Sequence, residues 1–522
     1  MDERSWLRLT WVLLAANLAW RAVRWAQGFP IWGDEAFVAV NFWDRGYLEL
    51  VRPLEYGQIA PLGWLWLEKA MFDLFGPWER ALRLPAFVAG IAATLLVFRL
   101  CRRALPPRAA ALAFAVYAAS YYPMRHGAEL KPYASDLLVA VAMLSLAWDW
   151  LVDGLRCARW KKSALVALSL LAPWLSLPSL FVVGGCGLVL GLHAWRRGGP
   201  RAAALYAGWM GAAAASALAM VVFFAAPHAE SASWLREMAM WETAFPPLER
   251  PWLLPWWLIE RHAGYMSAYP TGGRDGGSAV SFALFALGVF LWWRSGRRAA
   301  LALLLAPLLF NLVAAALGRY PYGGSVRVSI YLAPAFCLLA GTGLHALCGR
   351  AHGAARGIVG LLLLFALAGL GRDLVQPHKQ ESDRRALELA EWLAGRVQPG
   401  DQVLGYLWPG DNPPPGTLAA VPRDDAGPAF FAQGGSLARL RFQLRRALPM
   451  EVQWGMPAPR PGARTWLLAY RDDNQTDTPF PASDWQTWRD AWEAARGPAR
   501  DARTFGFGKD ESVEALLLPA AY

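Results

Sequence analysis

Two adjacent carboxylates, Asp34 and Glu35, are the first candidates for chemistry, because they directly follow the first apolar segment of the chain. They lie in the stretch Phe29-Pro-Ile-Trp-Gly-Asp-Glu-Ala-Phe37. Placing a charge in a bilayer is costly, so acids beside a membrane segment are solvated, paired or functional. Alternatively, both carboxylates begin a short interfacial helix and complement its amino-terminal dipole. The two residues alone leave both interpretations open.

Other polar side chains fall in segments that we expect on the same side of a membrane. They are carboxylates, cations and hydrogen-bonding groups, in chain order Glu55, Gln58, Arg125, His126, Glu129, Lys131, Tyr133, Asp136 and Arg327. A carboxylate can abstract a proton, and a cation can bind a phosphate through charge-assisted hydrogen bonds. Together these groups provide what is needed to displace a sugar from a phosphate leaving group.

Each of these residues also has a simpler interpretation. His126 and Glu129 are three residues apart, a spacing too common to indicate a metal, and their loop is short, so hydrogen bonding between loop residues is preferred. Arg125 and Arg327 can be interfacial cations that reach lipid headgroups.

The simpler interpretation is weaker for Lys131 and Asp136. Lys131 also fits an interfacial cation, but it adjoins Pro132 and Tyr133 at the start of a predicted span. Asp136 lies one helical turn into that span and has no obvious aqueous partner. An ionisable group within a span is a functional candidate by default.

Membrane helices must position these groups. The chain has 522 residues, of which 56% are hydrophobic and 17% charged, too apolar a composition for an ordinary soluble enzyme. Apolar runs of about 17–22 residues recur, each near the length that crosses a hydrocarbon core of ~30 Å. The net charge of +11 does not indicate nucleic-acid binding, because Arg and Lys cluster between the runs. We therefore predict an integral membrane protein with lipid partners and no nucleic acid.

The basic clusters predict the topology, because cytoplasmic loops of membrane proteins are enriched in Lys and Arg. No small-residue cleavage site follows the first run, so we expect an uncleaved signal anchor with a cytoplasmic N-terminus. The segment Ala60–Phe75 contains Glu68, Lys69 and Asp73 and is predicted to lie on the outer face as an interfacial helix. About eleven spans follow, at roughly 6–25, 80–100, 109–122, 133–152, 163–178, 179–195, 202–225, 279–293, 299–317, 328–348 and 356–371.

From Arg372 the pattern becomes that of a water-soluble domain of about 150 residues. A helix capped by Ser382 or Asp383 and two strands, Gln402–Leu407 and Thr465–Tyr470, predict a small α/β domain. A further helix is predicted over Trp485–Ala495. We expect a membrane domain over 1–371 with a long first outer loop at 27–78, and an extracytoplasmic domain over 372–522. The latter has no catalytic motif, so we expect it to shape the acceptor side.

The order and spacing of five motifs resemble the GT-C superfamily of integral-membrane glycosyltransferases, in the branch of protein O-mannosyltransferases and lipid A aminoarabinose transferases. The motifs are Trp32-Gly-Asp-Glu-Ala36, Ala60-Pro-Leu-Gly-Trp64 followed by Phe75-Gly76, Glu79-Arg-Ala-Leu-Arg-Leu-Pro85, Glu129-Leu-Lys-Pro-Tyr133, and Arg327 to Pro334. The resemblance covers roughly residues 5–345. It implies a GT-C fold and transfer of a sugar, hexosyl or pentosyl, from a polyprenyl-phosphate donor to a lipid, glycan or protein acceptor.

The resemblance also implies roles for individual residues. Asp34 falls on the family's general base, with Glu35 and Glu55 as further catalytic candidates. The donor phosphate would be held by Arg125, Lys131 or Arg327, of which Lys131 matches the family pattern best. The supporting residues are Gln58, His126, Glu129, Tyr133 and Asp136. The implied reaction is inverting and requires no metal, although some members of the superfamily use a divalent ion.

Two other classes of function remain open. A transporter or flippase for lipid-linked sugars would also be polytopic, but its charged sites should lie near the bilayer midplane. A non-catalytic lipid-binding protein would keep the spans and cations without needing Asp34. A GT-C enzyme of this kind is expected in the inner (plasma) membrane, acting on the cell envelope.

Overall fold

The computed structural model describes residues 2–231, 241, 243–273, 276–349, 352–407, 428–450, 452–454, 463–472, 489–490, 493–494, 498–506 and 511–519. The chain forms two compact units. The membrane unit comprises Met1–Gly28, Tyr47–Pro53 and Ile59–Val375, and the C-terminal unit comprises Phe29–Gly46, Leu54–Gln58 and Gln376–Tyr522. Two pieces of the predicted first outer loop therefore group with the C-terminal residues and not with the spans.

The described part of the membrane unit consists of helices joined by turns and loops, with no strand. Its helices are α1 (Glu3–Ala26), α4 (Leu62–Phe75), α5 (Glu79–Leu82), α6 (Leu84–Ala104), α7 (Pro107–Ala118), α8 (Tyr121–His126), α9 (Tyr133–Asp153), α10 (Arg159–Leu175), α11 (Ser179–Met220), α12 (Ala226–Ser231), α13 (Leu254–Arg261), α14 (Ala279–Arg294), α15 (Arg298–Ala316), α16 (Val326–Ser329), α17 (Ala333–Cys348) and α18 (His352–Val375). Each predicted span contains a helix. Helix α11 is interrupted at Gly199 (φ 67°, ψ −164°), which separates two predicted spans.

Within the described residues, seven helical segments are long and apolar enough to cross a membrane. They are Leu84–Ala104, Tyr133–Asp153, Ser179–Arg196, Gly199–Ala229, Arg298–Ala316, Val326–Cys348 and Gly353–Val375. Helix α1 has 24 residues and also reaches spanning length. The prediction of a multi-pass membrane protein is confirmed.

Close helix packing organises the core of the membrane unit around α17. An added Cβ at Gly288 of α14 would lie 2.0 Å from the Leu339 carbonyl oxygen, and one at Gly341 would lie 2.3 Å from the Ala113 Cα. Glycine at these positions lets α7, α14 and α17 approach each other closely. Small residues serve this purpose in membrane helices, where packing replaces the hydrophobic effect.

The predicted interfacial segment Ala60–Phe75 forms helix α4, which has 14 residues. At a rise of ~1.5 Å per residue this helix is about 21 Å long, too short to cross a core of ~30 Å. Its polar residues Glu68 and Lys69 are buried within the protein, and Lys69 pairs with Asp73.

The C-terminal unit is the predicted small α/β domain. Its elements are α2 (Gly33–Ala39), α3 (Asn41–Asp44), a 3₁₀ turn (Glu55–Gly57), α19 (Glu381–Ala394), β1 (Gln402–Leu407), α20 (Pro428–Ala447), β2 (Gln453–Trp454), β3 (Thr465–Asp472), β4 (Asp501–Gly506) and β5 (Glu511–Leu518). The sheet order is β2-β1-β3-β5-β4. Strand β1 pairs in parallel with β2 and β3, with Gln402 opposite Thr465, and β5 runs antiparallel to β3 and β4.

One face of this sheet packs against α19 and α20 through buried side chains such as Leu389, Leu440, Trp466 and Val513. The two predicted strands are confirmed. The first predicted helix is also present, but Gln380 is its N-cap in place of Ser382 or Asp383, and it ends before Gly395. The helix predicted over Trp485–Ala495 lies almost wholly outside the described residues.

Candidate active site

Helix α2 separates the environments of the two adjacent carboxylates. Asp34 and Glu35 both lie in its first turn, after the N-cap residue Trp32. The Glu35 side chain is fully buried, and its Oε2 accepts a hydrogen bond of 3.1 Å from the Trp32 backbone N–H. Asp34 is partly exposed. Glu35 therefore has the helix-capping role expected of a structural carboxylate, whereas Asp34 reaches the surface.

Glu35 also lies beside a buried ion pair of the C-terminal unit. Arg439 of α20 donates to Asp383 Oδ1 at 2.8 Å and to Gln380 Oε1 at 2.6 Å. Burial raises the pKa of Asp383, and the nearby Glu35 acts in the same direction, while Arg439 opposes the increase. Glu35 is therefore part of the buried group of polar side chains where α2, α19 and α20 meet.

Glu55 lies on a tightly held turn of the C-terminal unit. Arg441 of α20 donates to Glu55 Oε2 and to the Tyr56 hydroxyl, both at 2.9 Å. Asn41 Oδ1 accepts the Glu55 backbone N–H at 2.9 Å, and Gln58 Nε2 donates to the Tyr56 carbonyl at 3.0 Å. Arg441 and Asn41 therefore hold Glu55 and its turn in place.

Sequence reasoning missed the arginines of α20. Arg441 and Arg445 are four residues apart, so they share a helix face, and this spacing is the signal that could have singled them out. Their partners are far away in the chain: Glu55 lies 386 positions before Arg441, and Asp44 lies 401 positions before Arg445. The spacing of residues within α20 does not predict that these two acids are the partners of its arginines.

A compact ionic cluster forms at α8 of the membrane unit. Arg125 Nε donates to Glu129 Oε1 and His126 Nδ1 contacts Glu129 Oε2, both at 2.7 Å. The expected hydrogen bonding between loop residues is therefore present. Tyr133 packs edge-on against His126, with ring centroids 5.0 Å apart.

The pKa values of this cluster follow from its burial and its charges. Burial would raise the pKa of Glu129, but hydrogen bonds from His126 and Arg125 and the adjacent cationic charge hold it well below its ordinary value. Burial lowers the pKa of His126, against the opposing effect of Glu129. A neutral His126 donates its Nδ1–H to the carboxylate, which can only accept.

The other predicted cations of the membrane unit lie around this cluster. Lys131 is buried, and its backbone N–H donates to the Glu129 carbonyl at 2.8 Å. Arg327 lies over the Trp241 ring, 5.9 Å from its centroid, and is close enough to His126 to help lower its pKa.

Asp136 is buried one turn into helix α9. Its Oδ1 has no hydrogen-bond partner within the described part of the chain. The candidates thus fall into two groups. Those in the C-terminal unit are Asp34, Glu35, Glu55 and Gln58, and those in the membrane unit are Arg125, His126, Glu129, Lys131, Tyr133, Asp136 and Arg327.

Comparison with known proteins identifies the class of fold. A family model described as dolichyl-phosphate-mannose-protein mannosyltransferase matches residues 60–176. The structure of ArnT from Cupriavidus metallidurans in the apo state matches with a TM-score of 0.52 and 14% identity, over 97% of both chains. The same protein bound to undecaprenyl phosphate matches with a TM-score of 0.51, 14% identity and the same coverage. No curated protein sequence matches this chain.

The predicted resemblance to GT-C integral-membrane glycosyltransferases is confirmed by these matches. The chain has the GT-C fold, with membrane helices followed by a small C-terminal α/β domain. The matched family model is described as that of a mannosyltransferase.

Proposed function

We propose that this protein transfers a sugar from a polyprenyl-phosphate donor to an acceptor on the outer face of the inner membrane, with Asp34 as general base. The observation that carries the proposal is the division of roles in the first turn of α2, where Glu35 is buried and caps the helix while Asp34 is partly exposed. The GT-C fold, the matched mannosyltransferase family and the undecaprenyl phosphate bound to ArnT support the donor class.

The reaction is a direct displacement. Asp34 takes the proton of an acceptor hydroxyl, whose oxygen forms a bond to the anomeric carbon from the face opposite the phosphate. The bond between the anomeric carbon and the phosphate oxygen breaks, and polyprenyl phosphate leaves with the bonding electrons. The configuration at the anomeric carbon is inverted. A positioned base of this kind accelerates such a step by about 10²–10⁴-fold.

Cations of the membrane unit stabilise the departing phosphate in this proposal. Arg125 already donates Nε to Glu129, so its charge is largely balanced within the cluster. We assign the principal contacts to Lys131 and Arg327, with Arg125 as a further contact. Charge-assisted bonds to phosphate are strong where water is excluded, and the burial of Lys131 suits this role.

A release assay tests the function. The purified protein is incubated with undecaprenyl-phosphate hexoses and pentoses and with a cell-envelope extract as acceptor, and free undecaprenyl phosphate is measured. We expect acceptor-dependent release with one donor class. Mass spectrometry of envelope glycans and lipids, with and without the gene, then identifies the product. An unchanged envelope, together with no release from any donor, would contradict the proposal.

A further inference from the structure

Helix α20 of the C-terminal unit carries two arginines that pair with acids of the first loop, and the two pairs differ in construction. Arg445 donates from Nη1 and Nη2 to the two carboxylate oxygens of Asp44, whose side chain is exposed. Arg441 is half-buried and bridges two acceptors, Glu55 Oε2 and the Tyr56 hydroxyl, each at 2.9 Å. Arg445 holds a single exposed side chain, whereas Arg441 bridges two groups of one turn and so constrains the shape of that turn.

The turn at Glu55 is held in an unfavourable backbone conformation. Tyr56 has φ 60° and ψ 26°, the only positive φ of a non-glycine residue in the described part of the chain. This conformation is disfavoured for a bulky side chain and persists only where surrounding contacts enforce it. The enforcing contacts are the Arg441 bond to the phenol and stacking of the Tyr56 ring on Phe37, with centroids 5.0 Å apart.

The same turn is bonded to the helix that carries Asp34. Asn41 Oδ1 accepts the Glu55 N–H, and Asn41 Nδ2 donates to the Phe37 carbonyl in α2 at 2.8 Å. Hydrogen bonds thus connect Arg441 to the turn and the turn to α2. These bonds link the turn to the helix whose first turn contains Asp34.

We infer that Arg441 is a positioning residue for the reaction. It fixes the turn Glu55–Gly57 and, through Asn41 and Phe37, the orientation of α2. The inference rests on the proposed function and extends it, because it makes the C-terminal domain part of the catalytic apparatus and not only a surface for the acceptor.

The test compares Arg441→Gln with Arg445→Gln in the full-length protein. Both variants remove one positive charge from the same helix face, but only the first releases the turn. We expect Arg441→Gln to lower kcat about 10- to 100-fold, because a small misplacement of a catalytic group has effects of this size. The KM for the donor should change less than threefold. We expect Arg445→Gln to remain within about twofold of wild type, since its ion pair is exposed.

Two further variants keep the test decisive if Arg441→Gln folds poorly. Both bonds of Arg441 come from one nitrogen, Nη1, so Arg441→Lys, which keeps the charge, should recover part of the lost kcat. Adding Glu55→Gln to Arg441→Gln should lower kcat no further, because the two residues act as one unit. Multiplicative losses in the double variant would overturn the inference, as would equal activities of Arg441→Gln and Arg445→Gln.

A measurement without substrate separates this inference from the proposed function. Hydrogen exchange followed by mass spectrometry should show faster exchange at residues 54–58 and in α2 for Arg441→Gln, and wild-type exchange for Arg445→Gln. Unchanged exchange in Arg441→Gln would overturn the positioning role even if transfer is demonstrated. If exchange is faster in Arg441→Gln but the protein transfers no sugar, the structural link between Arg441 and α2 would stand and the proposed reaction would be rejected.

Discussion

Replacing Asp34 by Asn should abolish most turnover, whereas replacing its neighbour Glu35 by Gln should not. Adjacent helical residues point about 100° apart, and the structure buries Glu35 while leaving Asp34 partly exposed. Asparagine keeps the shape of the side chain but cannot accept the proton. Only Asp34→Asn removes the proposed base.

The losses of turnover caused by the two substitutions should differ by at least tenfold. Loss of a general base costs about 10²–10⁴ in rate, equivalent to about 2.7–5.4 kcal/mol in the activation barrier. In Glu35→Gln the amide oxygen can still accept the Trp32 N–H. What is lost in addition is the favourable interaction between the Glu35 charge and the dipole of helix α2, about 0.3–1 kcal/mol. We therefore expect at least a 100-fold loss for Asp34→Asn and less than about fivefold for Glu35→Gln.

The assay is turnover of both purified variants at saturating donor, with donor binding measured separately. Donor binding should be retained in both, which distinguishes a lost base from a lost site. An active Asp34→Asn enzyme beside an inactive Glu35→Gln enzyme would transfer the catalytic role to Glu35. Two active variants would refute the carboxylate mechanism.

Three further predictions concern the membrane unit. Lys131→Ala should weaken donor binding more than His126→Ala does, because a phosphate at the interface needs a cation; equal, negligible effects in a titration with polyprenyl-phosphate sugar would remove Lys131 from the site. Glu129→Gln should destabilise the protein by about 3 kcal/mol, because it leaves Arg125 without its carboxylate; a thermal denaturation midpoint equal to that of wild type would contradict this. Because the pKa of Glu129 is lowered, its ionised carboxylate stabilises the folded protein fully above pH ~4.3. This stabilisation is lost as the pH falls through the lowered pKa. Reporter fusions after Arg103, Lys162 and Arg298 should report cytoplasm, and fusions after Trp78 and Arg384 should report the outside; a cytoplasmic signal after Trp78 would mean that Ala60–Phe75 crosses the membrane.

The sequence alone determined the features that depend on local patterns. Apolar length located the spans, and a helix lies at each predicted position. Alternation and turn residues located strands β1 and β3. Hydrogen bonding within the short loop after α8 was also predictable, and His126 and Glu129 make such a contact.

Only the tertiary structure decided which distant groups meet. Asp34 and Glu35 both lie in the first turn of α2, and Glu35 is buried because it faces the polar side chains of α19 and α20. The pairing of Arg441 with Glu55 joins segments 386 positions apart, and no periodicity within either segment specifies its partner. Likewise, the grouping of Phe29–Gly46 with the C-terminal residues depends on packing between surfaces that form only once the chain has folded. Hydrophobic length and periodicity are properties of a segment, whereas an ion pair across the fold is a property of the whole chain.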